Sequence, residues 1–201
     1  MRIFNVLYAI LCFFLFQSSS FSKPFVAGDI LLAPMKCYLC KLIEGETNSD
    51  YSHLFVFIEG SKFAHSLGKV EYIDYSEIKK IVDPSRPMLH VRHKSFRTFS
   101  SGKIKRELHL QYLGLPYDKE FLWNNFDESG NEKFYCSEFV LKLLNSSFQL
   151  GLTPLPMSYD IYPEAWRSYF GGRPPTGLPG VAPSFFENDK NFEQIKYIYL
   201  D

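Results

Sequence analysis

Between Tyr135 and Leu144 the apolar side chains of Phe139, Val140, Leu143 and Leu144 recur at helical spacing, which makes this stretch a helix with one buried face. Cys136 belongs to the same stripe. It stands three and four residues before Phe139 and Val140, so its side chain falls on the buried face of the first turn. The strongest strand signal lies earlier. His53-Leu54-Phe55-Val56-Phe57-Ile58 is a β-rich run, Glu59-Gly60-Ser61-Lys62 is a turn, and Phe63-Ala64-His65-Ser66-Leu67 resumes the extended chain as a hairpin.

Around these, Gly28 to Leu32 reads as a turn and short strand, and Cys37 to Gly45 has helical spacing. Val70 to Ile81 completes the hairpin and enters a short helix, and Met88 to Arg92 is a further strand after Pro84 and Pro87. Ser100 to Leu113 is an amphipathic helix that Gly114 ends. The Pro- and Gly-rich stretch from Gly171 to Gly180 is an irregular loop rather than a linker, because Phe192 to Leu200 returns as a last strand on the same core. With 20 Phe and 13 Tyr in 201 residues the chain has to pack rather than stay solvated, and one domain is expected over 23–201.

Residues 1–22 stand apart from that domain. Met1-Arg2 is a short positive start, Ile3 to Phe16 is an apolar run broken by Asn5, and Ser18-Ser19-Ser20-Phe21-Ser22 supplies small residues before Lys23-Pro24. This is the pattern of a secretory signal peptide cut near Ser22, too short for the roughly 20 apolar residues of a membrane span. The expected product is secreted or periplasmic, with no integral membrane span. The 22 basic side chains balance the 22 acidic ones, so the basic surplus that nucleic acid would require is absent.

Beyond the leader three cysteines remain, Cys37, Cys40 and Cys136, an odd number that leaves at least one thiol free or paired outside the chain. Cys37 and Cys40 form a C-x-x-C that could close on itself, which leaves Cys136. A thiol in the first turn of a helix meets unpaired N–H groups and the helix dipole, an environment that favours the thiolate; the bland alternative is a buried core cysteine. Among the histidines, His90, His93 and His109 are expected at the surface, and His53 opens an apolar strand. A strict two-residue hairpin loop pairs Val56 with His65 and sends His53 and His65 to opposite faces, so a bulge is required if they are to touch. A zinc set of Cys37, Cys40, His53 and His65 ranks below an internal disulfide or two reduced thiols, because the histidines stand twelve positions apart. No metal and no cofactor are expected.

Four motifs in order resemble a known group. Gly-Asp-Ile-Leu-Leu at 28–32, Tyr-Ser-His at 51–53, Leu-Gly-Leu-Pro-Tyr-Asp at 113–118 and Phe-Tyr-Cys-Ser-Glu-Phe-Val at 134–140 resemble the permuted papain-like amidases, the YaeF/YiiX-like branch of the NlpC-type cysteine peptidase superfamily. The resemblance covers nearly all of the chain after the leader. It implies a small α+β fold, an antiparallel sheet packed against a helix that carries the nucleophile. It also implies Cys136 as nucleophile, His53 as base and His65 as third polar residue, where YiiX-like members commonly have glutamate.

The chemistry expected on this basis is acyl transfer through a thioester on an amide- or ester-bearing substrate, such as a cell-wall peptide or a lipid. The Cys136 N–H would hold the oxyanion, with Tyr135 or Tyr51 as a second donor. The alternatives are a lipid acyl hydrolase or acyltransferase with the same dyad, and a non-catalytic binding module of the same fold.

Overall fold

The computed structural model describes residues 24–95 and 101–200; the N-terminal segment expected to be a signal peptide lies outside the described residues. The strands at the centre are β1 (Ile30–Ala33), β2 (His53–Glu59), β3 (Lys62–Ser66), β4 (Val70–Asp74), β5 (Met88–His93) and β10 (Phe192–Ile198). They form one antiparallel sheet in the order β10-β5-β1-β2-β3-β4. Two-stranded ribbons, β6 (Asn125–Phe126) with β7 (Glu132–Lys133) and β8 (Leu155–Pro156) with β9 (Pro179–Gly180), decorate it.

Six α-helices lie among the described residues: α1 (Tyr38–Thr47), α2 (Tyr75–Ile81), α3 (Ser101–Glu107), α4 (Cys136–Phe148), α5 (Pro163–Phe170) and α6 (Ser184–Asn188). The fold is therefore a mixed α+β one. The helix expected from Ser100 begins as α3 and finishes as a π-helical stretch, Leu108–Tyr112, before Gly114 turns the chain at φ +88°.

Strand alternation divides the core. Leu54, Val56 and Ala64 face the main cluster, where α4 contributes Phe139, Val140, Leu143 and Leu144. Phe55, Phe57 and Phe63 face the other side with Ile78 of α2 and Cys40 of α1. Phe139, Leu143 and Leu144 are fully covered, each worth about 1.5–3 kcal/mol of burial, which fixes α4 against β2 and β3. The short helices α5 and α6 and the two ribbons carry too few periodic apolar residues to stand out in the sequence.

Candidate active site

Cys136 is the first residue of α4, and its N-cap, Tyr135, offers no side-chain cap. The first N–H groups of the helix are thus left for other partners. Opposite them, the ladder between β2 and β3 ends at Val56–Ala64. Past that pair the strands part, and Ser66 donates its hydroxyl to the Phe134 carbonyl at 2.7 Å. The Leu54 N–H, one residue after His53, becomes a donor to the Cys136 thiol together with the Ser137 N–H. The Ser137 hydroxyl also lies at the thiol while hydrogen-bonding the Val181 carbonyl at 2.5 Å.

These donors do not win. Cys136 is buried and burial pushes its thiol up to about 11, against the lowering hydrogen bonds of Ser137 and Leu54. At this helix start desolvation outweighs the hydrogen bonds that favour the thiolate.

His53 and His65 meet. β2 carries one residue more than β3 between Phe57–Phe63 and Glu59–Lys62, so Val56 pairs with Ala64 rather than with His65. That bulge turns His65 to the Phe55 side of the sheet, which His53 shares. Nε2 of His53 lies 3.1 Å from Nδ1 of His65, and the Phe55 ring packs 4.8 Å from one imidazole and 5.2 Å from the other, centre to centre. Both rings are buried. Burial drives His53 well below the usual histidine range, with His65 as a second cause, and takes His65 down to about 4. Both are neutral at pH 7. Among the described residues no hydrogen bond joins the Cys136 thiol to the His53 ring; the thiol meets the backbone of the next residue instead.

The thiol opens on an apolar pocket walled by Tyr117, Phe121, Met157, Tyr159, Trp166 and Val181. Tyr135 shares this wall, but its hydroxyl accepts the Val181 N–H at 2.9 Å. Tyr51 does not reach it. Its ring belongs to the main core, and after burial the groups that hold its phenol up are Glu187 and Tyr197 rather than Cys136. Tyr117 was not singled out by the sequence. Burial holds its phenol well above the ordinary tyrosine range, with the neighbouring Cys136 as a further cause, and it lies in the same pocket. The 113–118 motif contained it, but nothing in its spacing marks the phenol as part of a site.

The pocket also has a strap. Glu46 of α1 accepts from the N–H groups of Asp160 (2.7 Å), Ile161 (3.1 Å) and Tyr162 (3.4 Å) and from the Trp166 indole (3.0 Å). Gly45 beside it lies under Tyr162, whose ring would stand 2.4 Å from an added Cβ.

One other expectation needs correction. His90 and His93 are buried rather than superficial, because both fall on β5, an interior strand flanked by β10 and β1. His90 donates from Nε2 to Asp29 at 2.7 Å, and Arg92 binds the same carboxylate at 2.7 Å, an ion-paired strut between β5 and the turn before β1. His109 is 3.1 Å from the exposed Tyr72 hydroxyl. Cys37 and Cys40 form a disulfide, so they do not join His53 and His65 as metal ligands.

No family model matches the chain. It is 25% identical to the uncharacterized protein YiiX of Escherichia coli (strain K12) over 122 residues, which are 60% of this chain and 57% of that protein. The match thus spans little more than half of the relative's length. A crystal structure described as metalloprotein yiiX from Escherichia coli O157:H7, DUF1105, superposes with a TM-score of 0.72 at 20% identity and covers 87% of this chain and 98% of that one. The likeness establishes the fold, a mixed α+β architecture shared with YiiX.

Proposed function

We propose that this YiiX-like chain is an exported cysteine hydrolase of the permuted papain-like, NlpC-type group, cleaving an amide or ester through a thioester on Cys136 with His53 as base. The observation that carries the reading is a convergence at one end of the sheet. A thiol at an uncapped helix start faces the backbone beside His53, and His53 is in a 3.1 Å contact with His65.

In the proposed step His53 donates from Nε2 to His65 Nδ1, so that Nδ1 of His53 carries the lone pair that takes the thiol proton. The thiol and imidazoles rest neutral, and proton transfer accompanies attack of sulfur on the carbonyl carbon. The tetrahedral oxyanion takes the Cys136 N–H and the Tyr117 phenol as donors. Collapse expels the amine or alcohol with the proton from His53. Water then attacks the thioester, His53 takes its proton, and the acid leaves as the thiol is restored.

A second reading is favoured by the pocket wall. Phe121, Met157, Tyr159 and Trp166 offer no charge to a peptide carboxylate, which suits an apolar acyl chain and hence a lipid acyl hydrolase or acyltransferase. The O157:H7 relative is described as a metalloprotein. This chain's donors do not fit a metal there: His53 and His65 direct a ring nitrogen at one another, and among the described residues no three His, Cys, Asp or Glu are grouped to hold an ion. No step runs through one.

The test is turnover of p-nitrophenyl acyl esters of increasing chain length and of acyl p-nitroanilides. Cys136→Ala abolishes turnover and its acyl adduct by mass spectrometry, and His53→Ala lowers kcat by about 10²–10⁴-fold. Undiminished turnover in folded Cys136→Ala refutes the proposal.

A further inference from the structure

We propose that the Cys37–Cys40 disulfide is a thiol–disulfide exchange site for an external cysteine thiol, distinct from the Cys136 centre. The pair sits at the start of α1 with its two sulfurs in different surroundings. Cys37 is exposed as the N-cap, whereas Cys40 is buried one turn on. An incoming thiol therefore reaches one sulfur and not the other. The sulfur it reaches accepts the Cys40 N–H at 3.0 Å, a donor that favours sulfur as thiolate. Lys36 and Lys41 flank the pair, paired with Asp83 at 3.4 Å and Glu44 at 2.8 Å, and Tyr38 stands 73% exposed beside it, so no neighbouring side chain among the described residues covers the approach from that side.

A purely structural purpose explains less. The bond closes a sequence separation of only 3, a loop too short to restrict the unfolded chain much. The rest of α1 is anchored without it, by buried Leu42, by Arg86 on Glu44 at 2.9 Å and by Glu46 on the strap. The first turn can thus change redox state while the remainder of the helix stays seated.

The exchange balances in two steps. An external thiolate attacks Sγ of Cys37, a mixed disulfide forms, the Cys37–Cys40 bond breaks, and Cys40 leaves as a thiolate that takes a proton from solvent. A second external thiolate attacks the external sulfur of the mixed disulfide and releases Cys37. Two external thiols are oxidised to a disulfide and the pair is reduced; the reverse sequence reduces an external disulfide.

The test uses the full folded protein with Cys136→Ser, so that only the pair can react. Dithiothreitol titration followed by alkylation and mass spectrometry should show the pair reduced while circular dichroism stays native. With Cys40→Ser added, Cys37 should trap a mixed disulfide with glutathione disulfide or with a cystine-bridged peptide, and Cys37→Ser should trap neither on the buried Cys40. Capture of glutathione alone identifies a small thiol as the substrate, whereas capture of the peptide identifies a protein thiol. The intact pair should also speed thiol-driven reduction of the peptide by about tenfold over the double serine variant. Reduction only on unfolding, no adduct on Cys37 from either probe, or equal trapping in both variants overturns the proposal.

Discussion

Nε2 of His53 lies 3.1 Å from Nδ1 of His65 because β2 contains one extra residue, Ile58, between the Phe57–Phe63 and Glu59–Lys62 pairs. Were Ile58 paired with Phe63 in a regular ladder, Val56 would stand opposite His65 and the two imidazoles would lie on opposite faces. The pair is thus created by an irregularity in the hairpin rather than by its loop. It buries two rings that water would prefer to protonate.

Acid sensitivity follows from that burial. His65 has a folded pKa of about 4 against 6.5 for the unfolded side chain. Between those values the unfolded chain binds the proton and the folded chain does not, so stability rises with pH across the window and is fully present above about 6.5. The full shift is on the order of 3 kcal/mol. Glu138, raised to about 7 by burial against its Lys142 partner, works in the opposite sense between about 4.5 and 7. Urea titrations should therefore be compared between wild type and His65→Asn: wild type should lose more stability on going from pH 7 to 4. Parallel curves would remove His65 as the cause.

Thiol reactivity should follow burial as well. With Cys136 pushed up to about 11, iodoacetamide should alkylate it more slowly than a model thiol near pH 6, and the rate should climb throughout the alkaline range. Rapid labelling near pH 6, lost in His53→Ala, would instead reveal a thiolate–imidazolium pair.

Most of the central sheet was legible because β2 is an apolar run of strand length and β5 and β10 are strand-length segments that mix apolar and polar positions, and α4 because four apolar residues keep one phase. Cys136 on the buried face of its first turn followed from the same phase. What escaped depends on contacts distant in sequence. The bulge at Ile58 leaves no mark in an apolar run. His90 looked polar beside Arg92, yet Asp29, far earlier in the chain, makes its burial tolerable. Tyr51 and Tyr117 are both tyrosines in apolar surroundings, and only the path of the chain decides which one meets the thiol.

Tyr117 gives the sharpest kinetic prediction. Tyr117→Phe keeps the aromatic wall and removes one donor, so kcat on an acyl ester should fall by about a hundredfold with little change in KM. Tyr51→Phe, in the main core, should leave kcat unchanged. Equal effects of the two would remove Tyr117 from the oxyanion site.

Export is expected to remove the leader. Intact mass of the protein recovered outside the cytoplasm should correspond to a start near Lys23, and a chain that retains Met1 in the membrane fraction would contradict the signal peptide.

The strap over the pocket should depend on one carboxylate. Glu46 satisfies three successive backbone N–H groups before α5 and the Trp166 indole with charge-assisted bonds; the Asp160 N–H also reaches Ser158 Oγ at 3.4 Å. Glu46→Ala hands those exposed N–H groups to water and leaves the Trp166 indole without its acceptor, so it should cost about 1 kcal/mol, with faster amide exchange confined to residues 158–166. Gly45→Ala should loosen the same segment by a different route, since its new methyl meets the Tyr162 ring at 2.4 Å and displaces it. Hydrogen exchange read by mass spectrometry separates these from a general loss of stability: the α4 peptides should stay protected in both variants. Uniform acceleration across the sheet, or none at 158–166, would show that Glu46 does not hold the strap.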